Sequence, residues 1–317
     1  MPVSLGAHVG QQNMEMDALR ATWRRLDRAG LDWISAWDHF YEAPPAGGTL
    51  AHFEAVATLA ALALSTERAR LGCLVFYVGY RNPGQLAKAA TTIDHLSGGR
   101  FELGLGAGWH EQEAAAYGYD FPGLGQRLDM LEEAVPLIRS LLTNDRTTFE
   151  GRYFRTEDAS CLPLPVQARL PIWVGGTGER RTMRIAARHA DGWNAAYTTP
   201  SEYARLCGVL DGWCEKEGRD PTSIRRTVNV IFLASADAAG AAQVDRQLEA
   251  QWGELADRVK GGAVIGLPAQ VTEQVAAYVE AGAEGVNIAL RAPWDDAALE
   301  AYLTEVVPAV RAEFGAS

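Results

Sequence analysis

The sequence predicts an α/β protein: a (β/α)8 TIM barrel with a short insertion between strands 4 and 5. Strand and helix patterns alternate eight times in 317 residues, a length that such a barrel fills as one domain. Several strands are continuous apolar runs, suited to a sheet buried on both faces. A doubly wound open sheet would normally carry Gly-x-Gly-x-x-Gly after strand one. Here that strand runs into Gly10-Gln11-Gln12-Asn13, which does not match. Residues 1–317 therefore read as a single barrel domain.

Strand one covers residues 3–9. Helix 16–29 follows, with Leu19, Trp23 and Leu26 on one face and Gly30 as its stop. Strand two is 32–37, the next helix 51–65, and strand three 70–76. Asn82-Pro83 opens a helix well, Asn as N-cap and Pro at the first helical position, with Leu86, Ala90 and Ile93 facing inward. Strand four, 101–106, runs into the small-residue loop Ala107-Gly108-Trp109-His110. In helix 126–142, Leu128, Leu131, Val135 and Ile138 keep helical register, and Pro136 predicts a kink. Residues 147–165 break the rhythm, and alternation around Gly151 predicts a hairpin insertion. Strand five, 172–174, leads into Gly175-Gly176-Thr177-Gly178 and a helix over 179–189. Strand six is 192–195, followed by helix 201–217. Strand seven is 227–234, followed by helical segments at 243–259 and 272–281. Strand eight is 285–290, and a last helix covers 296–314.

Net charge is -11 with acidic and basic residues interspersed. That disfavours nonspecific nucleic-acid binding, which needs a basic stripe, and an anionic cofactor would need a local donor site. Cys73, Cys161, Cys207 and Cys214 lack zinc-type spacing and read as free thiols of a reducing compartment. No histidine cluster has metal-ligand spacing, so no metal is expected. The N-terminus lacks a basic, apolar leader, and the longest apolar stretch, 55–64, is too short to cross a bilayer. The expectation is a cytoplasmic protein with a small-molecule substrate and neither nucleic acid nor membrane as partner.

In a barrel the loops after the strand C-termini build the site. That rule selects His8, Asp38, His39, Tyr77, Tyr80, Trp109, His110, Gly175, Gly176 and Asn194. Glycines just past a strand let backbone approach a bulky ligand, so the two glycine junctions suggest one large cofactor across several strand ends. Adjacent residues on extended chain point opposite ways. Asp38 and His39 thus read as separate parts, Asp38 on a ligand edge and His39 exchanging protons at the reacting centre. Gly175-Gly176-Thr177-Gly178 at a helix start favours phosphate, with Arg180 and Arg181 near; the competing reading is a tight turn. Trp109, His110, Glu111 and Glu113 would wall a ring and position a substrate, although both glutamates also suit a helix first turn. His52, His95 and His189 fall away from the strand ends and read as structural.

Together these residues resemble the luciferase-like monooxygenase superfamily, and within it the coenzyme F420-dependent oxidoreductases typical of actinobacteria. The carriers include Gly10-Gln11-Gln12, Trp37-Asp38-His39-Phe40, Gly72-Cys73-Leu74-Val75, Tyr80-Arg81-Asn82-Pro83, Gly104-Leu105-Gly106-Ala107-Gly108-Trp109, Pro171-Ile172-Trp173-Val174-Gly175-Gly176 and Ala190-Asp191-Gly192-Trp193-Asn194. The resemblance implies a deazaflavin ring at the strand C-termini. It places Asp38 at the ring edge, His39 as the active-site histidine, and Leu74-Val75 as a bulge with a non-proline cis peptide behind the ring. Ala107 and Gln112 match cofactor contacts, and Gly175, Gly176 and Thr177 match a phosphate loop. One position departs: sugar-phosphate dehydrogenases of this family carry a catalytic glutamate where Trp109 stands. That argues against a sugar-phosphate substrate and leaves Glu111 or Glu113 as substitute acids.

The expected activity is hydride transfer between F420 and a small, apolar organic substrate, with His39, Trp109 and Glu113 as catalytic residues. The pocket would be walled by Trp37, Tyr77, Trp109 and Trp193. Two alternatives stay open: an FMN-dependent monooxygenase fed by a separate reductase, and a noncatalytic flavin-binding barrel. The resemblance also implies a homodimer.

Overall fold

Parallel strands close on themselves in the computed structural model, which describes residues 2–42 and 47–315. The strands in chain order are β1 (Ser4–Val9), β2 (Trp33–Ala36), β3 (Arg70–Tyr77), β4 (Phe101–Gly106), β5 (Thr147–Glu150), β6 (Arg155–Ala159), β7 (Ile172–Gly175), β8 (Gly192–Ala196), β9 (Arg225–Ala234), β10 (Ala263–Gly266) and β11 (Gly285–Leu290). The barrel runs β1-β2-β3-β4-β7-β8-β9-β11 and returns to β1, every pair parallel. These eight are the strands the sequence pattern predicts.

Helices α1 (Met16–Arg28), α2 (Ala55–Ser65), α3 (Pro83–Ser97), α4 (Glu111–Ala116), α5 (Leu124–Thr143), α6 (Thr182–His189) and α7 (Pro200–Lys216) separate the strands through β9. Local chemistry sets their ends. The Asn82 side chain accepts from the Gly84 N–H at 2.8 Å, Pro83 follows it, and Gly98 closes α3 at φ 65°. Leu19, Trp23 and Leu26 of α1 are fully buried against the barrel. Pro136 lies inside α5 without ending it. Between β4 and β7, β5 and β6 pair antiparallel. The Glu133 carboxylate holds their turn by accepting from the amides of Arg152, Tyr153 and Phe154.

Three details differ from the sequence pattern. α6 begins at Thr182 rather than 179, so the glycine loop after β7 is longer than expected. The helical stretch after β9 is broken into α8 (Ala238–Ala241), α9 (Val244–Trp252) and α10 (Ala256–Lys260), with Gly253 at φ 52° between the last two. β10 is an additional strand. Arg225 and Asn229 of β9 bond to the β8 side, and Ile231, of the same parity, takes the Gly262 carbonyl instead. β10 therefore continues the β8 edge of β9 above the barrel, which carries α9 and α10 over its mouth. α11 (Pro268–Glu280) returns the chain to β11, and α12 (Asp296–Ala301), a π-helical turn (Tyr302–Val306) and α13 (Val307–Phe314) close it.

Polar layers fill the barrel axis. Near the N-terminal ends, buried Glu102 bonds to Arg70, Arg225 and the Trp173 indole. Higher up, the Asn229 side-chain oxygen accepts from the amides of Asn194 and Asn287, each at 3.1 Å. Paired polar groups tolerate burial that unpaired ones do not.

Candidate active site

A cavity of about 790 Å³ opens at the strand C-termini, and every strand-end residue selected from the sequence lines it. Its geometry starts at the end of β2. The Gln11 side chain brackets the Trp37 backbone, its amide donating to the Trp37 carbonyl and its oxygen accepting from the Trp37 N–H at 3.3 Å. Gly10 makes room for the indole: a Cβ there would fall 2.0 Å from Trp37 Cη2. The next two residues, Asp38 and His39, are thereby fixed at the cavity wall.

His39 Nδ1 lies 3.0 Å from Glu113 Oε1. Glu113 is fully buried at the start of α4 and takes three more donors: the Tyr80 hydroxyl at 2.7 Å and the amides of Phe40 and Tyr41 at 2.7 and 2.9 Å. Burial alone would raise its pKa. The hydrogen bonds from His39, Tyr80 and Tyr41 win and hold the carboxyl at about 2. An ionised carboxylate only accepts, so Nδ1 of His39 carries hydrogen and Nε2 is left for other chemistry. The half-exposed Trp109 indole meets the His39 ring edge-on at 5.1 Å and stacks on His110 at 4.8 Å.

Asp38 Oδ2 accepts from the Tyr77 N–H at 3.1 Å and from Arg81 Nη1 at 2.8 Å, while buried Oδ1 has no partner. Burial raises this carboxyl above its usual range, against the pull of Arg81. Leu74 and Val75 form the floor at a register shift in β3, and the peptide between them is cis. Small neighbours accommodate the bulge: a Cβ on Gly106 or Gly175 would fall 2.4 or 2.6 Å from a Val75 methyl. Ala107, Gly175, Gly176 and Thr177 also line the cavity. Trp193 donates to the Gly176 carbonyl at 2.8 Å and steadies that loop from below.

Other sequence-predicted residues sit elsewhere. Gln112 is exposed on α4 and does not line the cavity; Glu111 is exposed beside it. Glu113 does not line the cavity and reaches it through His39 and Tyr80. Trp193, expected as a wall, is wholly buried and stacks on Tyr203 behind the β8 strand. Arg181 is bound to Asp129, Glu132 and the Gly125 carbonyl rather than to the glycine loop. His52 accepts from the Trp37 indole at 2.9 Å, the structural role expected of it.

Sequence reasoning missed the opposite wall. Tyr197, Trp252 and Arg291 line it. Arg291 directly follows β11, so the strand-end rule applied to strand eight would have found it. Trp252 reaches the site only because β10 draws α9 over the mouth. His8, between the two walls, lies 2.8 Å from the Ser35 hydroxyl. Burial, then the charges of Arg291 and His39, lower its pKa to about 3, so it is neutral.

A sequence profile of luciferase-like monooxygenases matches residues 1–256. The chain belongs to the luciferase-like monooxygenase family. This luciferase-like chain is 31% identical over 315 residues to an F420-dependent glucose-6-phosphate dehydrogenase of Intrasporangium calvum, covering 90% of this chain and 92% of that one. It is 30% identical over 242 residues to an F420-dependent hydroxymycolic acid dehydrogenase of Mycobacterium tuberculosis, covering 76% and 66%. Among solved structures, an F420-dependent secondary alcohol dehydrogenase with an F420-acetone adduct superposes with a TM-score of 0.86 at 19% identity, over 98% of this chain and all of that one. At that identity the likeness is one of fold.

Proposed function

We propose that this luciferase-like barrel is a coenzyme F420-dependent oxidoreductase acting on a small organic substrate with a largely apolar body. The observation that carries the reading is the His39–Glu113 pair at the cavity wall, in a chain about 30% identical to F420-dependent dehydrogenases over most of its length. The residues present fit a large planar group that bears phosphate. Unpaired Asp38 Oδ1 is an acceptor for a donor edge of the ring. Val75, flanked by glycines, backs a flat floor, and the amides of the 175–178 loop suit an anion. When bound, F420 supplies two-electron hydride chemistry.

The remaining steps belong to the protein. Glu113 fixes the His39 tautomer, and His39 Nε2 accepts a substrate hydroxyl proton in one direction and returns it in the other. Trp109 and Tyr77 exclude water beside the reacting carbon. In this reading the protein works in the cytoplasm, where its four buried free thiols persist. It is a homodimer, which sedimentation at about twice 34.3 kDa would check.

The test is a fluorescence-quench titration with F420 and FMN in parallel, then His39→Ala. The expected result is micromolar or tighter F420 binding with weak FMN binding. His39→Ala should retain that binding while turnover falls by about 10²–10⁴. The reverse cofactor preference would move the protein to flavin-dependent oxygenation, checked by oxygen uptake. Binding of neither, or full turnover in His39→Ala, overturns the reading.

A further inference from the structure

Among the described residues, the guanidinium of Arg291 is a buried charge with two donors left unpartnered. Arg291 is 9% exposed and packs 3.6 Å from the Trp252 ring centre and 5.8 Å from that of Trp37. Its Nε and Nη1 are buried without a hydrogen-bond partner, and among the described residues no carboxylate pairs with it. The Tyr197 hydroxyl favours its charge. An arginine stays protonated even so, and a buried cation without a counter-ion is costly. Two tryptophan faces offset part of that cost and leave Nε and Nη1 free.

We propose that Arg291 anchors an anionic group of the substrate, a carboxylate or phosphate monoester, with the reacting carbon toward His39. This rests on reading the cavity as the substrate site of the oxidoreductase proposed above. Arg291 forms part of the wall between the main cavity and a neighbouring one of about 530 Å³. The neighbour is lined by the carboxylates of Glu42 and Asp295, which disfavour an anion there. On the main side, the carboxylates that line the cavity are already paired, Asp38 with Arg81 and Glu202 with Arg205. His8, which lines that side with Arg291, is neutral, and Arg258 adds a second cation to the same wall. His8, His39 and Arg291 all line this one cavity, so anchor and proton-transfer residue share a chamber. A compact substrate spans them: an apolar body with one anionic end and a hydroxyl, carbonyl or alkene a few atoms away.

The experiment uses the full chain without cofactor, so it does not depend on F420 chemistry. Tryptophan fluorescence, to which Trp252 and Trp37 beside the guanidinium contribute, is followed at constant ionic strength while benzoate or methyl phosphate replaces chloride. A saturable response to benzoate assigns a carboxylate, and one to methyl phosphate a phosphate monoester. Arg291→Met should weaken it at least about tenfold, and Arg291→Lys, which keeps charge but not the fork, by about three- to tenfold. An unchanged affinity in either variant, or no saturation below ~50 mM in the native chain, overturns the proposal. F420 titration of the same samples separates the two readings. Lost F420 binding in the native chain sinks the oxidoreductase, whereas an anion site that ignores Arg291 sinks only the anchor.

Discussion

Glu113 shows how one buried side chain can set the state of another. Its four donors leave no acceptor capacity unused, and its charge fixes hydrogen on His39 Nδ1. Glu113→Gln keeps the shape but turns one oxygen into an NH2 that must face a donor. An unmet buried donor costs about 1–3 kcal/mol. Urea denaturation should show a loss of that order, and kcat should fall by about 10–100-fold with F420 affinity held within a few-fold. Unchanged kcat would show that Glu113 does not position His39. His39 and Asp38 were legible in the sequence because they directly follow a barrel strand. The roles of Tyr80 and Glu113 depend on a hydrogen-bond network across three loops, which spacing does not encode. Arg291 stood at an equally readable place, but its significance lies in the partners it lacks, which only packing reveals.

The same division holds for elements. Long periodic segments and strand ends were legible, and so was the hairpin between β4 and β7. β10 was not: four residues between glycines and Leu267-Pro268 carry too little pattern, and its pairing depends on β9 outrunning β8. The helix break at Gly253 also went unread, because amphipathic spacing continues through it. The element that shapes the cavity floor is the β3 bulge with its glycine neighbours on β4 and β7. Gly106→Ala would put a Cβ 2.4 Å from a Val75 methyl, and such overpacking costs about 1–3 kcal/mol. F420 affinity should drop by about tenfold or more with the fold retained. Adding Val75→Ala should restore most of that loss, a coupling expected only of residues in contact. Equal affinity in Gly106→Ala would mean that Val75 does not set the floor.

At the scale of the whole molecule, buried histidines packed at and beside the barrel mouth are held neutral. Burial lowers His8 to about 3 and His52 to about 4, and His110 moves the same way for the same reason. His52 cannot both accept from the Trp37 indole and hold a proton on Nε2. The unfolded chain protonates these rings near 6.5. Their depressed folded pKa values therefore contribute stability that is fully present above pH 6.5. It is lost as pH falls toward 4 and 3, because the unfolded state then binds the protons. At pH 5 the loss is ~2 kcal/mol for each of His8 and His52. Glu113, held at about 2, adds its own loss only below the ordinary glutamate range. The same window takes the chain to its pI near 5.1, where lost net charge favours association, so thermal scans would mix unfolding with precipitation. Urea denaturation at pH 8, 6.5 and 5 avoids this and should show a midpoint that falls steeply only in the last interval. His8→Gln, which can keep the bond to Ser35, should flatten that fall by about half. A midpoint flat from pH 8 to 5 would mean that these imidazoles are solvated in the native state, and the packing around Trp37 that positions Asp38 and His39 would have to be redrawn.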